Sequence, residues 1–226
     1  MKNQVHLIDC MEFMKGLHDK YYDLAIVDPP YGQKWGNIHQ LSSGNRVKLE
    51  IINTKAKQWD IKPNKVFFDE IKRISKVQII FGYNHFTEFL KNTNNLIIWD
   101  KEITGLKYFL RFEVIYISIQ SSNIIKIKSS KNIKTHACQK PVALYKWLLK
   151  NYAKPGQKIF DSHVGSGSIR IACHDMGFDF EGCEIDKEYF EAQEERFNNH
   201  IAQIELFDTV EIQKNIYNGG QYETSR

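Results

Sequence analysis

Short apolar runs alternate with helical stripes along this chain. Residues 4–8, 22–27, 77–82, 95–99, 157–161 and 178–184 are continuous apolar runs of strand length, the pattern of strands covered on both faces rather than one. Helical spacing occupies 10–17, 66–74, 85–91, 141–153, 167–176 and 187–204. In 141–153, Pro141 takes a first-turn position where its missing N–H breaks no bond. Val142, Tyr145, Leu148, Leu149 and Tyr152 then form one buried stripe. Phe190, Phe197, Ile201 and Ile204 do the same in the last helix. Segment 101–135 breaks the alternation, with a β-rich run over 112–117 leading into a basic stretch. Periodicity ends near residue 209. Strands alternating with helices predict an α/β fold. We expect one domain over 1–208 with a small β-rich loop insertion, followed by a tail over 209–226.

Composition changes this picture little. A chain of 226 residues with 42% hydrophobic and 26% charged positions buries a sizeable core. No apolar stretch is long enough to span a bilayer, and the first residues run directly into a strand without a secretory core, so no membrane partner is expected. Cys10, Cys138, Cys173 and Cys183 lack CxxC spacing, which argues against zinc or a disulfide framework and fits a reducing cytoplasm. Charge is more informative. The net +4 hides 27 Lys+Arg against 15 Asp+Glu over 1–175 and 4 against 12 over 176–226. Lys126, Lys128, Lys131, Lys134 and Lys140 fall in 121–140 with no acid among them. Such a stretch suits a polyanion such as nucleic acid, although a lysine run is also an ordinary solvated loop. Arg46, Lys48, Lys55 and Lys57 form a second, weaker cluster in 32–60.

Candidate chemistry gathers at the ends of the strand runs. Asp28-Pro29-Pro30-Tyr31 follows the apolar run 24–27. Two prolines fix φ and carry no N–H, so the turn is stiff and its carbonyls face outward as acceptors. A carboxylate, outward carbonyls and an aromatic face together suit a flat amine, although Asp and Pro are also ordinary turn formers. Further on, Lys158-Ile159-Phe160-Asp161-Ser162-His163-Val164-Gly165-Ser166-Gly167-Ser168 reads as strand, glycine-rich turn and helix start. The next strand ends in Glu184-Ile185-Asp186, the spacing of a nucleoside-binding unit whose acid holds ribose hydroxyls. NAD is the rival ligand, but the turn lacks a third spaced glycine. His136-Ala137-Cys138-Gln139-Lys140-Pro141 precedes a helix whose N–H groups can hold a carboxylate. Asp9-Cys10 sits where an aspartate caps the first helix.

Taken together, Asp-Pro-Pro-Tyr, His-x-x-Gln-Lys-Pro and a later Asp-x-x-x-Gly-Ser-Gly turn resemble the amino-methyltransferases of DNA that act on adenine N6 or cytosine N4. The catalytic motif precedes the cofactor motif, as in the circularly permuted β-class of that family. The similarity runs from about residue 4 to about residue 205 and includes segments 81–86 and 99–101.

The resemblance implies a Rossmann-like S-adenosylmethionine-dependent methyltransferase sheet and S-adenosyl-L-methionine as cofactor. Asp28, Pro29, Pro30 and Tyr31 would form the catalytic wall, Asp28 also bordering the cofactor. Asp161, His163, Gly165, Ser166, Gly167 and Ser168 would lie along its methionine and ribose portions. Glu184, with Ile185 beside it, would bind the ribose. Asp9 and Cys10 would meet the adenine, and His136, Gln139 and Lys140 the methionine end. No metal is required, because the sulfonium methyl is already activated. The acceptor implied is the N6 amine of a flipped-out adenine in DNA. The alternatives are cytosine N4, RNA or a protein amide on the same fold, or an inactive cofactor-binding DNA module. Two positions depart from the family pattern: Ala137-Cys138 stands where many relatives have Pro-Thr, and His163 replaces an aromatic or aliphatic residue. Only 32–60 and 101–135 are left to contact DNA, with Arg46, Lys48, Lys126, Lys128, Lys131 and Lys134 as its expected contacts. So small a reader implies a short target or a homodimer. No nuclease motif is visible, so a cognate restriction enzyme would be a separate chain.

Overall fold

The computed structural model describes residues 2–32, 60–102, 111–128 and 139–219, with backbone alone over 205–219. Of the expected site residues, His136, Arg46, Lys48, Lys131 and Lys134 lie outside the described residues. Among the described residues the apolar runs pair into one eight-stranded sheet. Its strands are β1 (Asn3–Leu7), β2 (Tyr22–Val27), β3 (Ser75–Phe81), β4 (Leu96–Asp100), β5 (Phe112–Ile117), β6 (Ser122–Lys126), β7 (Lys158–Asp161) and β8 (Asp179–Glu184). Their order is β1-β8-β7-β2-β3-β5-β4-β6. The first five in that order are parallel, β5 runs against both its neighbours, and β6 lies parallel to β4 at the outer edge. The β-rich run thus extends the same sheet.

Helices cover both faces, which explains the continuous apolar runs. On β2, Leu24 and Ile26 join the core under α3 (Val142–Tyr152) and α4 (Ser168–Asp175). Ala25 and Val27 join the opposite core under α1 (Cys10–Lys15) and α2 (Lys65–Ile74). Alternate residues of a strand point to opposite faces, so a strand inside two cores has no polar side. Helix α2 turns Phe67, Phe68, Ile71 and Ile74 inward, and Asn64 caps it by accepting from the Val66 N–H at 3.0 Å. The last helix, α5 (Lys187–Gly219), continues well beyond the stripe that ends at Ile204.

The expected helix over 85–91 is absent. A 3-10 turn over Tyr83–His85 is followed by one turn in which the Leu90 N–H donates to the Phe86 carbonyl at 3.0 Å. Phe86 and Leu90 have helical spacing and both are buried, but one turn gains too few hydrogen bonds to offset the cost of nucleation.

Strand order determines where a ligand fits. From β7 the chain moves to β8 on one side, and from β2 to β3 on the other, while β7 and β2 are neighbours. Connections leaving adjacent strands in opposite directions open a crevice at the strands' carboxyl ends.

Candidate active site

Four acids stand at that edge. Glu184 ends β8, Asp161 ends β7, Asp28 follows β2 and Asp9 follows β1 by two residues. The strands are parallel and neighbours in the sheet, with Leu7 opposite Glu184 and Asp161 opposite Gly182. The α/β topology therefore collects carboxylates that lie far apart in the sequence.

The glycine turn between β7 and α4 is held from several sides. Gly165 and Gly167 have φ of +53° and +73°, where a side chain is strained. The Gly165 N–H donates to Glu184 Oε2 at 2.8 Å, and the Asp186 N–H donates to Oε1 at 2.9 Å. The His163 N–H donates to Asp161 Oδ1 at 3.0 Å. Ser166 and Ser168 are buried, and Arg196 from α5 donates to the Ser166 carbonyl at 2.6 Å and to Ser168 Oγ at 3.0 Å. Burial pushes the Asp161 carboxyl up to about 8; the His163 N–H opposes this, while the negative charges of Asp28 and Glu184 add to it. Burial likewise raises Glu184. Burial pushes His163 down to about 4, so its imidazole is neutral at pH 7. That ring meets Phe67 edge-on at 5.5 Å and so has packing as well as polar contacts.

The Asp-Pro-Pro-Tyr turn is tied into a chain of alternating charges. Tyr31 donates its hydroxyl to Asp28 Oδ1 at 2.6 Å and lies 2.9 Å from Glu113 Oε1. Lys140 forms an ion pair with Asp28 Oδ2 and lies 3.3 Å from Glu113 Oε1. Lys101 closes the chain on Glu113 Oε2 at 2.8 Å. The side chains of Lys140, Glu113 and Asp28 are only 6%, 11% and 17% exposed, so these pairs are poorly screened. Burial raises Asp28 above the usual carboxylate range, against Lys140 and together with Glu113. Glu113 is also buried, but Lys140 and Lys101 hold it down at about 2. Burial and the two carboxylates keep the Tyr31 phenol protonated. The Tyr31 ring stacks on His85 with centroids 4.8 Å apart and planes 15° apart. Gly82 permits this: its φ is +72°, and a Cβ there would stand 2.5 Å from the Tyr31 ring.

The structure therefore brings together Asp28, Tyr31 and Lys140 on one side and Asp161, His163, Gly165–Ser168 and Glu184 on the other. Pro29 is buried behind Asp28. Asp9 acts as the N-cap of α1, Oδ1 accepting from Met11 and Glu12 N–H at 2.9 and 3.1 Å. Cys10 is buried, and burial pushes its thiol up to about 12. Ile185 is exposed beside Glu184. Lys126 and Lys128 are exposed, at and just beyond the end of β6. Sequence reading assigned no role to Glu113, Lys101 or His85, although Lys101 and His85 fall in the segments 99–101 and 81–86 that carry the resemblance. The signal for Glu113 was present, as one acid inside the apolar run 112–117.

Among the described residues, His174, Asp175 and His200 also group ligand-type atoms. Asp175 Oδ1 lies 2.6 Å from His200 Nε2, and its Oδ2 pairs with Lys146 at 2.7 Å. With an ammonium already on the carboxylate, the cluster ties α5 to α3 and α4.

A family model described as DNA methylase matches residues 111–195. The chain is 33% identical over 79 residues to the type II methyltransferase M.HpaI of Haemophilus parainfluenzae, which covers 35% of this chain and 25% of that protein. The chain thus spans about a quarter of that relative's length. Among solved structures, the PvuII cytosine-N4-specific DNA methyltransferase aligns with a TM-score of 0.62 at 13% identity, over 87% of this chain and 86% of that one. The M1.HpyAVI–SAM complex aligns with a TM-score of 0.52 at 21% identity, over 85% and 98%. These two likenesses speak for the fold. The family-model match and M.HpaI, with the order of the motifs along the chain and their meeting at one sheet edge, support a likeness to the N6/N4 amino-methyltransferases of DNA.

Proposed function

We propose that this chain transfers a methyl group from S-adenosyl-L-methionine to the N6 amine of adenine in DNA. The observation carrying this reading is the placement of Asp28 beside Asp161 at the point where the sheet reverses its order. The residues fit the cofactor. Asp161 is buried among other carboxylates, and a cationic ligand offsets that burial. The left-handed glycines let a ligand approach the turn, and Glu184 at the tip of β8 has acceptor oxygens for ribose hydroxyls. Exposed Ile185 offers an apolar face to a purine. Gln139 and Lys140, with His136, serve the amino-acid end, and Asp9 and Cys10 the base.

When bound, the cofactor supplies a methyl group activated by its sulfonium. The protein's task is to prepare the acceptor. The adenine amine is a poor nucleophile because its lone pair is delocalised into the ring. Asp28 and the Pro29 carbonyl accept its N–H hydrogens, which favours a tetrahedral nitrogen and aims the lone pair at the methyl. Orientation and stabilisation of the developing positive charge supply the rate. The base leaves the duplex to reach this turn, where the aromatic wall of Tyr31 and His85 receives it. Aspartate rather than serine or asparagine before Pro-Pro favours adenine over cytosine N4.

DNA is held, in this reading, by Lys126 and Lys128 at the outer sheet edge, with Lys131, Lys134, Arg46 and Lys48. A homodimer would double this small reading surface, and a restriction enzyme would act as a separate chain. The experiment is transfer of labelled methyl to DNA, RNA and protein acceptors, followed by nucleoside analysis. N6-methyladenine is the expected product; label in RNA or protein alone would refute the reading. Asp28→Ala should lower transfer by at least about 100-fold with cofactor affinity largely kept.

A further inference from the structure

Both oxygens of Asp28 are engaged. Lys140 holds Oδ2, and the Tyr31 hydroxyl donates to Oδ1 at 2.6 Å. A target amine needs one of them. The phenol has one hydrogen and a second acceptor already in reach, Glu113 Oε1 at 2.9 Å. Turning that hydrogen from Asp28 to Glu113 requires only a rotation about the phenol C–O bond. Lys140, lying 3.3 Å from the same Glu113 oxygen, stays on Oδ2.

We propose that Glu113 is a positioning residue for the transfer: it takes over the Tyr31 hydroxyl and anchors Lys140, leaving Asp28 Oδ1 turned to the amine. The inference rests on the functional reading above and assigns the oxygens within it. Lys101 at 2.8 Å fixes Glu113 from its far side, over the Trp99 ring. Lys140 itself lies over the Phe81 ring, 4.5 Å from its centre, so the clamp has apolar walls. A swap of hydrogen-bond acceptors inside a buried network costs little, because no group is left unsatisfied at either end.

The groups that face Asp28 are Tyr31 on its own turn, Lys140 ahead of α3, Glu113 on β5, Asp161 on β7 and Tyr145 on α3. Of these, Lys140 and the Tyr31 hydroxyl favour the ionised carboxylate, whereas Glu113 opposes it. The two clamp residues therefore pull the Asp28 titration in opposite directions.

The test is a carbon-13 NMR titration of carboxyl-labelled aspartate in the full chain, with Asp28→Asn assigning the signal. Glu113→Gln should move the Asp28 midpoint to lower pH and Lys140→Gln to higher pH. In parallel, Glu113→Gln should lower kcat about tenfold while cofactor KM stays within about twofold. Its effect should shrink in a Tyr31→Phe background, which has no hydrogen to hand over. Should Glu113→Gln not fold, Glu113→Asp keeps the charge but withdraws the acceptor, so kcat should fall with the Asp28 midpoint unchanged. The proposal is overturned if the two variants move the midpoint the same way or not at all, or if the Glu113 and Tyr31 effects simply add. A wild-type chain that methylates no acceptor yet shows the opposite shifts refutes the functional reading and supports the clamp on Asp28.

Discussion

Asp161 ends a buried strand as a carboxyl that resists ionisation. Its folded-state pKa of about 8 lies above the ordinary carboxylate value. The folded chain therefore binds this proton more tightly than the unfolded one. The stability it contributes is fully present below about pH 4 and is lost as the pH rises to about 8. Asp161→Asn cannot titrate, so its melting temperature should fall less steeply than wild type between pH 5 and 8. Equal slopes in a thermal melt series would contradict this. A carboxyl so placed would favour a ligand that brings positive charge, because binding would offset a cost already present in the fold.

At the scale of elements, β8 and the glycine turn are fitted through Gly182. A Cβ there would stand 2.5 Å from Val164 Cγ2 and 3.0 Å from the Asp161 carbonyl. Neither neighbour moves easily, since valine is stiff at χ1 and the carbonyl belongs to a strand end. Gly182→Ala should destabilise the fold by about 1–3 kcal/mol through overpacking, with weaker cofactor binding; denaturant unfolding and calorimetry would show both. Much of this level was legible in the sequence. Strands buried on two faces announce themselves as unbroken apolar runs, and the strand-end acids follow directly after them. The helix expected at 85–91 failed because Phe86 and Leu90 mimic a stripe within a single turn. The Lys140–Asp28 pair was not legible, because 112 residues separate its members and only the sheet order brings them together. Glu113 stood out as the one acid in its apolar run, but its partners did not, because they depend on β5 entering the sheet beside β3 in the reverse direction.

The whole chain divides its charge along its length. The basic excess over 1–175 includes Lys126 and Lys128 at the end of the outermost strand, while 176–226 carries 12 acids against 4 bases. In the proposed reading, a polyanion would approach the edge carrying Lys126 and Lys128. Replacing Lys126, Lys128, Lys131 and Lys134 by Gln should weaken DNA binding uniformly across sequences. It should also reduce the salt slope by roughly one for each lysine that touches a phosphate. Fluorescence anisotropy at several salt concentrations measures this, and an unchanged slope removes the segment from the interface.

The reversal of strand order also bears on how the protein is made. Asp9 and Asp28 leave the ribosome before the strands that complete the crevice, β7 and β8, which come after residue 157. The first strand must wait for the last one, since β1 pairs with β8 along its whole length. Among the described strands β1 therefore has no sheet partner until β8 is made, and the acids stay unassembled until the turn after Asp161 has emerged. The strand-end acids are thus gathered late, so a chain cut short before β8 would lack the crevice rather than carry half of it.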